Sequence, residues 1–264
     1  MGVVLDIRHA ATRVGFFQVI GHGVPHALID DARNVARCFF AKPQNQKLVP
    51  GCVSLGEASN WRGYEYFPSD NKEAFEIGLD TQGRVDMAGR PLPLHGPNLW
   101  PASDLNFRHT VTAYHSAVTN LACQLLGAMA WALGLDPRYF DAKVREPLAH
   151  LRLWKYPPQT ELAPHKDHGF LTLLLQDECY GGLQVLHRVL PTAGLVRKRS
   201  IGQDSSFSSG DSESQNIEGE VALAKSVSQG GSESVWLDVP VIPHGFVVNA
   251  VSYTHLTLPT NREV

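Results

Sequence analysis

The sequence predicts an α+β protein with a mainly β core, a barrel or jelly roll with helices packed on it. Three observations carry that prediction. One long stretch, Phe107 to Ala132, repeats apolar residues at three- and four-residue steps, the period of an amphipathic helix. From Leu148 onward the period changes to that of strands. Those strands are short and are separated by glycine and proline, as at Pro157-Pro158, Gly181-Gly182, Pro240 and Pro243.

Taken in order, Asp6 to Arg13 reads as a short helix and Phe16 to Ile20 as a strand, closed by Gly21-His22-Gly23-Val24-Pro25. His22, between two glycines at a turn, reads as structural. Pro25 starts a helix with apolar residues Leu28, Ile29, Val35, Ala36, Phe39 and Phe40. Residues 42–102 are rich in Pro, Gly and polar residues, and five prolines between Pro68 and Pro101 exclude a long helix. They read as a long packed connection, with Arg62-Gly63-Tyr64 and Lys72 to Glu76 as local contacts. Ser103 or Asp104 caps the long helix. Its stripe of Phe107, Val111, Tyr114, Val118, Leu121, Leu125, Met129 and Ala132 belongs to the core, and Gly134 ends it. Asp136-Pro137 opens a second short helix through about Val144. Leu151, Leu153 and Lys155 then alternate with Arg152, Trp154 and Tyr156. Further strands are expected from His165 to Leu175, Leu183 to Leu186, Trp236 to Val239 and Phe246 to Asn249.

Residues 200–234 hold eleven serines among Gly, Glu, Gln and Asp, with no apolar period. Such a segment buries too little surface to offset its ordering entropy. The expected organisation is an N-terminal region over 1–102, supporting helices over 103–146 and a jelly-roll core over 147–249. A disordered Ser/Gly-rich insertion occupies 188–234 within that core, with a retained intron as a competing explanation, and 250–264 is a non-native tail.

The net charge of −3 gives no basic field for nucleic acid. No apolar run is long enough to cross a bilayer, so no membrane partner is expected. Cys38, Cys52, Cys123 and Cys179 are scattered without a C-x-x-C, which fits reduced, mostly buried thiols in a cytoplasmic protein.

The chemistry concentrates in His165-Lys166-Asp167. Side chains at i and i+2 of a strand leave the same face, so His165 and Asp167 can point at one ion. A neutral imidazole and a carboxylate are two-thirds of the facial triad that holds non-haem Fe(II). On its own the same pattern also fits a surface strand. Lone histidines such as His9, His26, His95 and His150 read as surface or satisfied polar residues. No H-E-x-x-H or cysteine ligand set supports a zinc hydrolase.

The flanking motifs add a resemblance. Gly15-Phe16-Phe17-Gln18-Val19-Ile20-Gly21-His22-Gly23-Val24-Pro25, the strand Leu151 to Pro158, His165 to Asp177, Gly181 to Val185 and Trp236 to Asn249 occur in the order of the isopenicillin N synthase-like Fe(II)/2-oxoglutarate-dependent oxygenases. The chain resembles that family over roughly residues 6–249, apart from the serine-rich insert. The resemblance implies a double-stranded β-helix (cupin-like) core, His165 and Asp167 as iron ligands, and Tyr156 as the hydroxyl that bonds 2-oxoglutarate. Trp154 stands where the family commonly has an asparagine. The implied activity is hydroxylation or desaturation of a small molecule, using Fe(II), 2-oxoglutarate and O₂ and releasing succinate and CO₂. The alternatives are an Fe(II) oxidase of the same fold that needs no 2-oxoglutarate, and a catalytically dead binding protein.

In the family a second histidine and an Arg-x-Ser follow the last of these strands, and both are expected to fall beyond Val264. Val251 to Thr260 does not resemble the family; it can be encoded by the mosaic-end adaptor of transposase-based sequencing libraries. His255 is therefore not taken as the third ligand. The expectation is a chain whose last core strands are missing, aggregation-prone and inactive as a fragment.

Overall fold

The computed structural model describes residues 2–55, 61–81, 84–90, 92–158, 160, 162–167, 169–178, 181–188, 226–229 and 232–250. They form two compact units, Met1–Gln176 with Ile242–Val264, and Asp177–Val241.

The first unit opens with helix α1 (Gly2–Arg13), strand β1 (Phe16–Val19), helix α2 (His26–Ala41) and the single turn α3 (Gln44–Lys47). Helix α1 begins earlier than its sequence pattern, and Pro25 stands just before α2 as its cap residue. The long helix follows as α4 (Leu105–Ala132). It starts where expected, because Asp104 accepts the Phe107 N–H at 3.0 Å, and it ends ahead of Gly134, which has a positive φ of 76°.

The stripe on α4 builds the core. Tyr114, Leu121 and Leu125 meet Ile29 and Ala32 of α2 and Phe246 and Val248 of strand β9 (Phe246–Asn249). Phe107 and Val111 join Phe39, Phe40, Tyr64, Phe75 and Ile77. Phe39 stacks on Phe107 at 4.6 Å and Phe75 meets it edge-on at 4.9 Å, each pair adding about 1 kcal/mol beyond burial.

Residues 42–102 are more ordered in pattern than the sequence suggested. Strands β2 (Gly63–Phe67) and β3 (Lys72–Gly78) form a hairpin, and β4 (His150–Lys155) joins it as an antiparallel sheet in the order β2-β3-β4. Gly63 is required there: its φ is +96°, and a Cβ would lie 2.3 Å from the Cys52 carbonyl oxygen. Leu151 and Leu153 of β4 face the core, while Arg152 and Trp154 face away from it. The second sheet has the order β1-β9-β5, with β5 covering Thr172–Leu175. Its central strand β9 is buried along its whole length, as a continuous apolar run flanked on both sides requires.

Several expectations are corrected. Asp136-Pro137 opens turns instead of a helix, because the Asp136 carboxylate accepts the Arg138 N–H at 2.8 Å and competes with helical bonding. The strand expected from His165 begins only at Thr172, for reasons given below. Of the three described cysteines only Cys52 is fully buried, and burial pushes its thiol up to about 11; Cys38 is exposed.

In the second unit, strands β6 (Gln184–Arg188), β7 (Ser226–Gln229) and β8 (Ser232–Asp238) form an antiparallel sheet in the order β6-β8-β7. The insertion expected over 188–234 includes β7 and the start of β8. Arg188 and Val227 each pair with Ser234, so the backbone at these positions is used in ladders. Residues 189–225, and the expectation of disorder there, lie outside the described residues. So do 251–264, including His255. Ala250, expected to open the tail, is fully buried and donates its N–H to the Gly15 carbonyl at 2.9 Å.

Candidate metal centre

His165 and Asp167 lie in an irregular stretch before β5, not in a strand. Two features explain this. Gly169 has a φ of +117°, which interrupts an extended chain. The ladder with β9 also stops at Thr172, which pairs with Asn249, the last residue of β9. Among the described residues no strand pairs with 162–167.

The two side chains nevertheless come together. His165 Nε2 lies 3.6 Å from Asp167 Oδ1. His165 Nδ1 lies 3.0 Å from the Ala163 carbonyl oxygen. A carbonyl can only accept, so Nδ1 carries a proton, and Nε2 is the ring nitrogen whose lone pair a metal would use. Two electron-pair donors then face one gap, and metal bonds of about 2 Å each can span it. The other carboxylate oxygen, Oδ2, accepts a hydrogen bond from Asn249 Nδ2 at 2.8 Å. The His165 side chain is 65 % exposed and that of Asp167 32 %, so the pair is open to an incoming ion. The donor set fits a divalent cation of intermediate hardness such as Fe(II). Among the described residues no group of three His, Cys, Asp or Glu converges on one point, so the pair by itself would be an incomplete ligand set.

Tyr156 directly follows β4. Its ring stacks on Trp154 at 5.4 Å, and the Arg152 guanidinium lies 5.1 Å over the Trp154 ring. Phe67 of β2 closes the row, 5.7 Å from Trp154. Partial burial holds the Tyr156 hydroxyl protonated, against the opposing pull of the Arg152 cation. It is therefore a hydrogen-bond donor at neutral pH. Arg152 is itself held by Glu76, which also pairs with His150 Nδ1 at 2.6 Å.

His22, His26 and His244 take structural roles. The Val24 N–H donates to His22 Nδ1 at 3.1 Å, so His22 Nε2–H donates to the His244 carbonyl at 2.8 Å. His26 stacks on His244 at 4.2 Å, and His244 Nε2 meets Asp30 at 2.9 Å. The sequence reading missed Asn249 as a site residue. Its signal was a polar residue closing the otherwise apolar run Phe246-Val247-Val248.

Comparison with known proteins decides the family. The family model "non-haem dioxygenase in morphine synthesis N-terminal" matches residues 2–103. The 2-oxoglutarate-dependent dioxygenase citB of Monascus ruber is 34 % identical over 210 residues, covering 69 % of this chain and 61 % of that protein. The chain belongs to the Fe(II)/2-oxoglutarate-dependent dioxygenase family. Two solved structures show the fold. A putative 2OG-Fe(II) oxygenase family protein of Caulobacter crescentus superposes with a TM-score of 0.64 at 23 % identity, over 94 % of this chain and 68 % of that one. A full-length Neurospora crassa protein, in complex with alpha-KG and 5-formyluracil, gives 0.59 at 24 % identity, over 94 % and 65 %. The fold is accordingly the jelly roll of this family. The chain spans about three fifths of the length of the curated relative. No helix among the described residues is long and apolar enough to cross a membrane.

Proposed function

We propose that the whole protein is an Fe(II)- and 2-oxoglutarate-dependent oxygenase that hydroxylates or desaturates a small molecule, with His165 and Asp167 as two of its iron ligands. The observation that carries this reading is the convergence of His165 Nε2 and Asp167 Oδ1 at 3.6 Å. The bound iron and 2-oxoglutarate supply the oxidation of a substrate C–H bond by O₂, with succinate and CO₂ as co-products.

The chain's own residues account for binding and orientation. A neutral imidazole and one carboxylate leave a bound dication with a net charge of about +1, which favours a dianionic oxo-acid. The Tyr156 hydroxyl, kept protonated, donates to a carboxylate of 2-oxoglutarate. Trp154 stacks on Tyr156 and limits the directions in which that hydroxyl can turn. The Neurospora protein in complex with alpha-KG and 5-formyluracil supports a small-molecule substrate. Two donors among the described residues would hold iron weakly, so turnover requires a third donor.

The test is release of succinate from 2-oxoglutarate by the full-length protein under air. Release should need Fe(II) and should disappear in His165→Ala. Oxygen uptake that needs Fe(II) but no 2-oxoglutarate would move the assignment to an oxidase of the same fold.

A further inference from the structure

Asn249 ends the central strand of the β1-β9-β5 sheet, paired through its backbone with Phe16 on one side and Thr172 on the other. Its side chain is buried. The amide nitrogen donates to Asp167 Oδ2 at 2.8 Å across 82 residues of sequence. A carboxylate only accepts, so the orientation of the amide is fixed by its partner. The amide oxygen points elsewhere, is buried, and has no hydrogen-bond partner among the described residues. Phe246, Val247 and Val248 show that this strand accommodates apolar side chains throughout. A buried amide with one unmade bond is therefore a cost that packing alone does not require.

Asp167 needs such a partner. No described strand pairs with its segment, and Gly169, at a positive φ of 117°, separates it from β5. Without a tether the carboxylate can turn either oxygen toward His165. With Oδ2 engaged, Oδ1 is the oxygen left 3.6 Å from His165 Nε2. We infer that Asn249 is a positioning residue: its amide fixes the Asp167 carboxylate so that Oδ1 alone is offered beside the His165 imidazole. This rests on the reading of His165 and Asp167 as metal ligands. It adds that Asp167 binds through one oxygen, and that the rigid sheet, through Asn249, supplies the order that the irregular ligand segment lacks. Partners that orient metal ligands in this way typically contribute about 10–100-fold in affinity.

The experiment is a Co(II) titration of the full-length protein followed by visible absorption, with thermal unfolding measured in parallel. Asn249→Leu removes both the donor and the unpartnered oxygen, and Asn249→Asp keeps the shape but replaces the amide donor by a carboxyl that donates only when protonated. Asn249→Leu is expected to unfold at or above the wild-type temperature. Both variants should bind Co(II) about 10–100-fold more weakly, with an altered absorption band. Val248→Ala, a cavity in the same strand, should lower the unfolding temperature and leave the Co(II) spectrum unchanged. A folded Asn249→Leu or Asn249→Asp variant with wild-type affinity and spectrum overturns the inference. Wild-type protein whose Co(II) binding is untouched by His165→Ala overturns the metal reading, and this inference with it.

Discussion

The β2-β3-β4 sheet and the segment carrying His165 and Asp167 are secured in opposite ways. In the sheet, Glu73 is enclosed by Lys47, by Lys155 at 2.6 Å and by the Tyr64 hydroxyl at 2.7 Å. Glu76, further along β3, is held by His150 and Arg152. Every strand there also has ladder partners. The segment of His165 and Asp167 has no ladder among the described strands; His165 bonds locally to the Ala163 carbonyl, and Asn249 reaches Asp167 from β9. The lesson is that the framework is over-determined while the candidate site depends on a few single contacts. Substitutions in the two regions should therefore fail differently, the first through stability and the second through ligand binding.

The largest effect is expected in the site. His165→Ala or Asp167→Ala in the full-length protein should reduce Fe(II) affinity by more than about 100-fold, beyond what loss of an orienting partner produces, while circular dichroism stays native. Next is Glu73→Ala, which leaves Lys47 buried without its carboxylate. It should lower unfolding free energy by about 3–5 kcal/mol in denaturant titrations. If that variant does not accumulate, Glu73→Gln keeps the shape and should show a smaller loss.

The same carboxylate gives a pH signature. Burial works to raise the Glu73 pKa, but hydrogen bonds from Lys155, Lys47 and Tyr64 outweigh it and hold the folded value below the ordinary range. A depressed folded pKa contributes stability above the unfolded value, and that contribution is lost as pH falls through the folded one. Stability should therefore decline below about pH 4.3, and less steeply in Glu73→Gln. His115 acts nearer neutrality. Burial lowers its pKa in the folded chain, so the unfolded chain takes up protons first and stability should begin to fall below about pH 6.5.

The smallest effects separate the two regions most finely. Asp104→Ala removes the α4 cap and should cost about 1 kcal/mol in unfolding free energy, with no change in metal affinity. Tyr156→Phe should raise the KM for 2-oxoglutarate by about 2–10-fold, the worth of one hydrogen bond, and leave stability near wild type.

The same contrast governs what the sequence discloses. The α4 stripe and the run Phe246 to Val248 were legible because burial and periodicity coincide there. The β2-β3 hairpin was not. Glu73 and Glu76 are buried by ion pairs, so β3 looks polar in sequence although it lies almost wholly inside. His165 and Asp167 were legible as a pair because their proximity is local in sequence. The expected strand was not present, because strand formation there depends on pairing partners that local pattern does not specify. Asn249 stood out only as a polar end to an apolar run: its relation to Asp167 exists only after β9 is placed beside β5.

The most direct test of the central claim is an anaerobic Fe(II) titration of the full-length protein, wild type beside His165→Ala, Asp167→Ala and His95→Ala. His95 is a half-buried histidine bonded to its own loop at the Pro93 carbonyl. Wild type and His95→Ala should each bind one iron per chain, with affinity lost in the other two. Unchanged iron binding in His165→Ala and Asp167→Ala would contradict the assignment of these two residues as ligands.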